Sequence, residues 1–263
     1  IMEFTIDTNS KCNNFTTIVK YLRELTDFIK FNFSETGIYV QGMDGSQVCL
    51  YELRLNNDWF KDYSFTNPEH SEMSVSSKIL FLILNIRQDD QIINLSYEGE
   101  KLQIEFTGEK SYDKFFEIPT MEIISEHLQV PNVEYDAEFH MESGIFSNLM
   151  SQLKIFDEKI VISCNEENIS LDAKGLEGRM KVDIDIEELD EFSINDGETI
   201  TLSYSLLYIN KISEFSSISK EAGISISNQW PLKVLYKLDD KYDENSKETS
   251  NYIEFHVAPS IEE

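Results

Sequence analysis

Apolar and polar residues alternate on both sides of a short glycine-containing segment, and this is the clearest local pattern in the chain. Residues 38–55 read IYVQGMDGSQVCLYELRL, with an alternating run on each side of residues 42–46. Such alternation is typical of two β-strands joined by a tight connection. The two glycines of the connection can adopt the left-handed turn conformations that a side chain disfavours. The residues expected to face a core are Ile38 and Val40 in the first run and Val48 and Leu50 in the second, with Tyr51 also a candidate.

Met43 is apolar although it lies within this connection, where polar residues are more usual. As a flexible side chain, it can pack back onto the core as an ordinary loop residue. It can equally form one wall of a docking pocket for a partner protein. The pattern leaves both interpretations open.

Helical spacing appears in two segments of the first half of the chain. After an alternating run at residues 3–7, which we interpret as an edge strand, five apolar residues predict an amphipathic helix: Phe15, Ile18, Leu22, Leu25 and Ile29. Residues 77–86 predict a second, very apolar helix with Ser76 or Ser77 as its N-cap. Residues 92–97 and 102–107 alternate around a turn at 98–100, which predicts a β-hairpin.

The periodicity ends between residues 119 and 131, a segment bracketed by two prolines, and the same order of elements then begins again. We interpret residues 119–134 as a connector between domains 1–118 and 135–263. A constant offset of 131 residues aligns eight apolar pairs, and residues 203–212 fill the position of the second helix. The pairs are Phe15/Phe146, Ile18/Leu149, Leu22/Leu153, Ile38/Ile169, Val40/Leu171, Tyr51/Val182, Leu53/Ile184 and Leu55/Ile186. The sequence therefore predicts a tandem repeat of one helix-and-sheet unit.

The charge is strongly negative: 22 basic and 49 acidic residues give a formal net charge of −27 over 263 residues. An electrostatic field of that sign disfavours contact with nucleic acid or anionic membranes unless the basic residues are gathered on one surface. The three cysteines are far apart, which implies neither a disulfide framework nor a zinc site. We therefore expect a reducing compartment. No apolar run is long enough to cross a bilayer, so we expect a soluble protein with no membrane partner.

Catalytic patterns are weak. The four histidines share no ligand spacing, and neither a nucleophile elbow nor a P-loop is present. A segment at residues 239–243 resembles a calcium loop but lacks its glycine and closing glutamate. Three acidic pairs fall in predicted turns, where solvated charge is the ordinary role: Asp89-Asp90, Glu187-Glu188 and Asp239-Asp240. We therefore expect no enzyme activity, no cofactor and no metal site.

Seven collinear segments resemble the proliferating cell nuclear antigen family of DNA sliding clamps. They are GMDGSQVCLYELRL at 42–55, SKIL at 77–80, LQVP at 128–131, VISC at 161–164, LLYIN at 206–210, WPLKVLYKL at 230–238 and VAPSIEE at 257–263. The resemblance implies an α+β fold of two clamp domains, with helices on the inner face and antiparallel sheets on the outer face of a ring. It also implies a non-catalytic homotrimer that encircles duplex DNA without sequence preference and tethers DNA polymerase, a clamp loader and repair proteins.

The resemblance also implies positions for three surfaces. Partner peptides would dock on Met43, Gln47, Val48, Leu128, Val130, Pro131, Pro231, His256, Ala258, Pro259 and Ile261. Subunits would pair through strands near 110–118 and 175–184, with Lys110, Phe115, Phe116, Leu153, Phe156, Gly178, Lys181 and Val182. DNA would face Lys20, Arg23, Lys78, Arg87, Lys154 and Lys211.

The chain departs from the family on the expected DNA-facing surface, where seven family basic positions are not basic. They hold Thr16, Thr17, Phe81, Asn148, Ser151, Leu207 and Glu214. A thin basic lining favours an alternative function, in which the chain is a clamp-fold interaction scaffold or a subunit of a hetero-trimeric checkpoint or transcription clamp. The divergence and the many Ile, Asn and Lys residues indicate a protist or a large DNA virus, so we expect a nuclear protein or one of a cytoplasmic viral factory.

Overall fold

Both halves of the chain fold through the same succession of helices and strands. The structure, a computed structural model, describes residues 1–66, 68–124 and 127–260. It divides into two units. Unit 1 comprises Ile1–Gly45, Tyr51–Leu128 and Leu238–Ile253, and unit 2 comprises Ser46–Leu50, Gln129–Lys237 and Glu254–Glu263.

The first repeat contains nine strands and two helices among the described residues. In chain order they are β1 (Met2–Ile6), α1 (Asn9–Leu22), β2 (Phe28–Ser34), β3 (Gly37–Met43), β4 (Cys49–Asn56), β5 (Asp62–Phe65), β6 (Glu72–Ser76), α2 (Ser77–Leu84), β7 (Gln91–Tyr97), β8 (Lys101–Gly108) and β9 (Lys114–Pro119). Short 3₁₀ turns at Asn57–Trp59 and Pro68–His70 flank β5.

The second repeat follows in the same order. Its elements are β10 (Ala137–Glu142), α3 (Ser143–Leu153), β11 (Lys159–Cys164), β12 (Asn168–Gly175), β13 (Gly178–Asp185), β14 (Glu191–Ile194), β15 (Ile200–Ser205), α4 (Leu206–Ser213), β16 (Glu221–Ile226), β17 (Leu232–Lys237) and β18 (Tyr252–Val257). The 3₁₀ turn Glu244–Thr249 precedes β18, within a segment that belongs to unit 1.

Strand order confirms the tandem repeat. In the first repeat, strands neighbour one another in the orders β5-β1-β7-β8-β9 and β4-β3-β2-β6. The second repeat has β14-β10-β16-β17-β18 and β13-β12-β11-β15, the same two orders once each strand is replaced by its counterpart. Because α1 ends at Leu22 and α3 ends at Leu153, the helix ends also differ by the predicted 131 residues.

Apolar residues of the helices and of one face of each sheet form the core of each unit. In unit 1, α1 and α2 pack together, and α1 buries five residues: Cys12, Phe15, Ile18, Val19 and Leu22. In unit 2, α3 and α4 pack together in the same way. All three cysteines are free thiols and buried.

The end of α1 and the start of α4 differ from the predicted boundaries. The first helix ends at Leu22, and Ile29 lies in β2 instead of continuing the helical stripe. The Ser77 hydroxyl donates to the carbonyl of Thr26 at 2.7 Å and the Ser77 amide to that of Asp27 at 3.0 Å, so these carbonyls bind Ser77 instead of extending the helix. The predicted helix 203–212 begins only at Leu206, because its first residues belong to β15.

The predicted second helix of the first repeat is confirmed but is shorter than expected. It runs over Ser77–Leu84 instead of 77–86, and Ser76 is its N-cap, with the side-chain hydroxyl accepting from the Ile79 amide at 3.4 Å. The predicted hairpin of β7 and β8 is confirmed. However, β1 is not an edge strand, because it pairs with β5 on one side and β7 on the other.

The connection between β3 and β4 differs in two respects from what the sequence pattern indicated. The buried residues of β4 include Cys49, Tyr51, Leu53 and Leu55, while Val48 and Leu50 are only half-buried. A shift of one residue exchanges the two faces of a strand. The prediction therefore assigned Val48 and Leu50 to the wrong face, whereas Tyr51 was assigned correctly. Within the connection, the residue in the left-handed region is Gln47, with φ of 59°, and neither glycine.

Candidate functional site

The end of the connector that belongs to unit 1 is fastened to β3 by one side chain. The Gln41 Nε2 donates to the Leu128 carbonyl at 2.7 Å, and Gln41 Oε1 accepts from the Leu128 amide at 2.9 Å. Leu128 nevertheless remains 41% exposed. Its backbone is therefore held by Gln41, while the residue stays accessible at the surface. Sequence patterns did not single out Gln41, whose only signal is its polar position in an alternating strand.

A polar cluster surrounds this contact on β3 and β4. The Tyr39 hydroxyl donates to Glu52 Oε1, and Gln41 Nε2 donates to the same oxygen at 3.2 Å. The Tyr39 ring meets His127 edge-on at 5.3 Å between centroids, and the Arg54 guanidinium lies 5.1 Å from the Tyr39 ring centre. Burial raises the pKa of Tyr39, and the bond to Glu52 raises it further. The hydroxyl is therefore a fixed donor at neutral pH.

In unit 2, the segment after β18 is held by backbone bonds. The Ala258 amide donates to the Val48 carbonyl at 2.9 Å, and the Ser260 amide donates to the Ser203 carbonyl at 2.7 Å. Pro259 forms a β-bridge with Tyr204. Because both ends of this short segment are bonded, its side chains have a defined position in unit 2.

The predicted docking residues differ in accessibility. In unit 1, Met43 is half-buried and Leu128 is exposed. In unit 2, Gln47, Pro131 and Pro259 are exposed, whereas Val48, Val130, Pro231 and Ala258 are half-buried. His256 is buried, with Nε2 3.3 Å from Glu254 Oε1. Ile261 lies outside the described residues.

Arg87 does not have the free side chain that a DNA-facing role requires. Its side chain is only 3% exposed. The guanidinium donates to the side-chain oxygens of Asn9 at 2.6 Å and Asn13 at 2.7 Å, and to the carbonyls of Gln88 and Gln91. Arg87 therefore joins the first turns of α1 to the loop after α2, and we withdraw it from the DNA-facing set.

The other predicted DNA-facing residues are at least partly accessible. Lys20, Lys78 and Lys154 are exposed. Lys211 is half-buried, as is Arg23, whose guanidinium lies 4.0 Å from the ring centre of Phe81. A cation over an aromatic face is stabilised by the ring. The apolar residue at a family basic position thus supports a neighbouring cation.

The predicted subunit-contact residues lie mainly on two terminal strands. In unit 1, β9 ends its sheet; Phe115 is 71% exposed, while the Phe116 ring lies 5.3 Å from Phe106. The Lys110 amide, just before β9, donates to Asp90 at 2.9 Å.

In unit 2, β13 ends its sheet and carries three of the predicted contacts, Gly178, Lys181 and Val182. Lys181 forms an ion pair with Asp183 at 2.8 Å. A Cβ at Gly178 would approach the Phe156 ring to 3.3 Å, and Leu153 is fully buried. Leu153 can therefore support this surface only from within the core.

Exposed aliphatic residues on the helices were missed by the sequence reasoning. On α2 and just after it, Ile79, Leu82 and Ile86 are 43%, 49% and 50% exposed. Their spacing places them on one stripe of the helix. In unit 2, Ile145 on α3, Ile155 just after α3 and Leu207 on α4 are also exposed. The sequence did contain a signal for them: residues 79–84 are all apolar, which is more than one buried face of a helix requires.

Asp90, one member of the three acidic pairs, has a structural role. The Ser111 hydroxyl and the Lys110 amide both donate to Asp90, which lowers the pKa of this carboxyl group. Asp90 thus fixes the loop before β9. This arrangement needs no catalytic explanation.

Comparison with protein-family models also divides the chain into two tandem domains, in agreement with the repeat and the strand orders. The N-terminal domain model of proliferating cell nuclear antigen matches residues 8–127, and the C-terminal domain model matches residues 129–246. The chain belongs to the proliferating cell nuclear antigen family. Its two tandem α+β domains have the sliding-clamp fold, as predicted.

Family membership indicates a sliding-clamp type of function in DNA replication, carried out through protein–protein interactions. It also points to a scaffold without enzyme activity. Among the described residues, no helix has the length and apolar content needed to span a membrane.

Proposed function

We propose that this chain forms a homotrimeric ring around duplex DNA and tethers partner proteins through short peptides. The observation that carries the proposal is the pair of terminal strands, β9 in unit 1 and β13 in unit 2. A terminal strand offers unpaired backbone groups, and pairing of one with the other in head-to-tail fashion closes a ring. We keep residues 119–134 as the connector between the two domains.

The apolar stripe of α2 supports subunit contact. Ile79, Leu82 and Ile86 are all well exposed in the monomer, although the chain as a whole is acidic. Contiguous exposed apolar residues favour a protein interface. We place these residues at the subunit boundary together with Phe116 of β9.

Trimer formation is tested by native mass spectrometry and light scattering. A mass three times the chain mass of 30.6 kDa is expected at micromolar concentration. Leu82→Glu should convert the trimer to monomer, because it places a charge at the centre of the apolar stripe. Leu207→Glu on α4, which we assign to the DNA side, is the matched control and should leave the mass unchanged. A wild-type monomer would refute the ring.

DNA contact in this ring would be weak. The accessible candidates are Lys20, Arg23 and Lys78 in unit 1, and Lys154 and Lys211 in unit 2. Each phosphate contact contributes to the salt dependence of binding. Arg23→Ala should therefore lower the slope of log affinity against log salt. Arg87→Ala should leave that slope unchanged and lower the thermal stability, because it removes a buried guanidinium with four acceptors.

Topological retention is the decisive test of the sliding function. After loading, the ring should remain on covalently closed circular DNA and leave linearised DNA through its ends. Equal loss from both forms would favour the alternative, a clamp-fold scaffold or hetero-trimeric subunit with little DNA contact. The observation that favours this alternative is the burial of the Arg87 side chain, which makes the basic lining thinner still.

Partner docking is assigned to the residues that the family resemblance implied. The exposed Leu128 beside a bonded backbone supports this role, as does the fixed segment after β18 in unit 2. Leu128→Ala or Met43→Ala should weaken binding of a peptide that carries an aliphatic and an aromatic anchor on one helical turn. The trimer mass should not change. Unaltered affinity in both variants would move the docking site elsewhere.

A further inference from the structure

The Gln41 side chain takes the place that a peptide group of a neighbouring strand would occupy. It accepts from the Leu128 amide at 2.9 Å and donates to the Leu128 carbonyl at 2.7 Å. A primary amide offers the same donor and acceptor as a peptide unit. One connector residue is thus bonded at both backbone polar atoms, as in a hydrogen-bonded antiparallel pair.

Glu52 fixes the direction in which this amide points. The Gln41 Nε2 has two acceptors, the Leu128 carbonyl and Glu52 Oε1, the second at 3.2 Å. The reversed amide would place its oxygen against a carboxylate and a carbonyl, and both contacts would be repulsive. The Tyr39 hydroxyl binds the same carboxylate oxygen and helps to hold it in place.

Among the described residues of unit 1, hydrogen bonds hold the connector at Thr120 and Met121 near its start and at Leu128 near its end. The Met121 amide donates to the Ser74 carbonyl at 2.9 Å near the start of the connector, and Leu128 is held by Gln41. The described connector residues 122–124 and 127–134 lie outside helices and strands. A loop fixed in its binding conformation loses less entropy when a ligand binds. A bond at Leu128 therefore affects the segment on which a partner would dock.

We propose that Gln41 is a positioning residue for partner docking, which holds the connector at Leu128 so that the residue is presented to incoming peptides. The inference rests on the docking function proposed above. Gln41 need not touch the peptide, because it acts through the Leu128 backbone. The two-way amide bond is the structural basis for this role.

The first test uses Gln41→Leu, which keeps the approximate size of the side chain and removes both bonds. The matched control is Gln103→Leu on β8, whose amide oxygen accepts only from the Ser96 hydroxyl at 3.3 Å among the bonds described. Hydrogen exchange at the Leu128 amide should become about tenfold faster in Gln41→Leu and stay unchanged in Gln103→Leu. The trimer mass and circular dichroism verify that both variants fold.

The second measurement is peptide affinity by fluorescence anisotropy. The probe is a labelled synthetic peptide with an aliphatic and an aromatic anchor on one helical turn. Gln41→Leu should bind it about fivefold more weakly, because part of the ordering of the connector must then occur on binding. Gln103→Leu should bind it as the wild type does.

A pH-dependent rescue separates positioning from a general loss of packing. In Gln41→Glu at neutral pH, a carboxylate would face the Leu128 carbonyl and Glu52, and affinity should fall. The nearby carboxylate raises the pKa of the introduced group, so lowering the pH to about 5.5 protonates part of it and restores a donor. Affinity should then recover relative to wild type and to Gln103→Glu at the same pH. These references correct for other effects of pH on the cluster, whose remaining ionisable side chains are Glu52, Tyr39, Arg54 and His127.

The outcomes distinguish the inference from the function on which it rests. Wild-type protein that binds no such peptide would refute the proposed docking function. Wild-type binding together with unchanged affinity in Gln41→Leu would overturn the role of Gln41 alone. Faster exchange at Leu128, weaker binding and recovery of Gln41→Glu at low pH would together support the positioning role.

Discussion

The β3–β4 and β12–β13 connections occupy the same place in the two repeats, but they are built differently. The second is a two-residue turn, Leu176-Glu177, between glycines that end and begin its strands. The first spans residues 44–48 and contains a non-glycine residue in the left-handed region, Gln47. Its residues up to Gly45 belong to unit 1, and those from Ser46 belong to unit 2.

The difference shows how duplicated elements acquire different constraints. Gly175 is required by close packing, because a Cβ there would lie 2.0 Å from the Phe156 carbonyl oxygen. Gly45 has open space around its Cβ position. The tight turn keeps β13 regular to its end, which suits the proposed subunit contact. The longer connection presents Gln47, and Met43 precedes it at the end of β3; we assign both residues to partner docking.

The largest effect is expected for Gly175→Ala. The Phe156 carbonyl belongs to the backbone and cannot move aside as a side chain can, so the free energy of unfolding should fall by about 3 kcal/mol. Urea denaturation followed by circular dichroism measures the change. Gly45→Ala is the matched control and should shift stability by less than about 0.5 kcal/mol. Equal losses in the two variants would remove the contrast between the connections.

A smaller loss is expected for Gly42→Ala at the end of β3. The added Cβ would lie 2.2 Å from the hydroxyl of Tyr51, whose ring is fully buried and has little room to shift. We expect about 2 kcal/mol of destabilisation. In a double-mutant cycle with Tyr51→Leu, the combined loss should be smaller than the sum of the single losses. Additive losses would show that the clash is relieved by another route.

The smallest effect, and one of opposite sign, is expected for Gln47→Gly. A left-handed backbone conformation costs a non-glycine residue about 1 kcal/mol, and glycine removes most of that cost. The thermal midpoint should rise slightly. A lower midpoint would mean that the Gln47 side chain contributes more to the folded state than its backbone conformation costs.

Sequence patterns predicted the repeat because its evidence is periodic and local. The apolar residues of α1, β3 and β4 recur at a constant offset, and the helix ends obey that offset. Boundaries were less predictable where a distant residue influences them, as Ser77 does by donating its hydroxyl to the Thr26 carbonyl and its amide to the Asp27 carbonyl. The same limit applies to φ at Gln47, since the neighbouring glycines gave a misleading signal.

The candidate surfaces were predictable as sets but not in their detailed contacts. Arg87 has the charge of a DNA-facing residue. Only the folded structure shows that its guanidinium donates hydrogen bonds to the side chains of Asn9 and Asn13. The bond between Gln41 and Leu128 joins residues 87 positions apart and has no periodic signal. Side-chain bonds across such separations depend on the tertiary structure, which local patterns do not specify.

The burial of all three native thiols has a practical consequence for single-molecule work. Cys12, Cys49 and Cys164 are buried, and burial raises the pKa of Cys12 and brings that of Cys164 to about 12. Thiolates are the species that react with maleimide dyes, so these residues should remain unlabelled at neutral pH. One cysteine introduced on the surface, for example at Lys220, would then carry a single fluorophore without removal of the native cysteines. Such a probe would allow the proposed movement of the ring along DNA to be tested on stretched DNA.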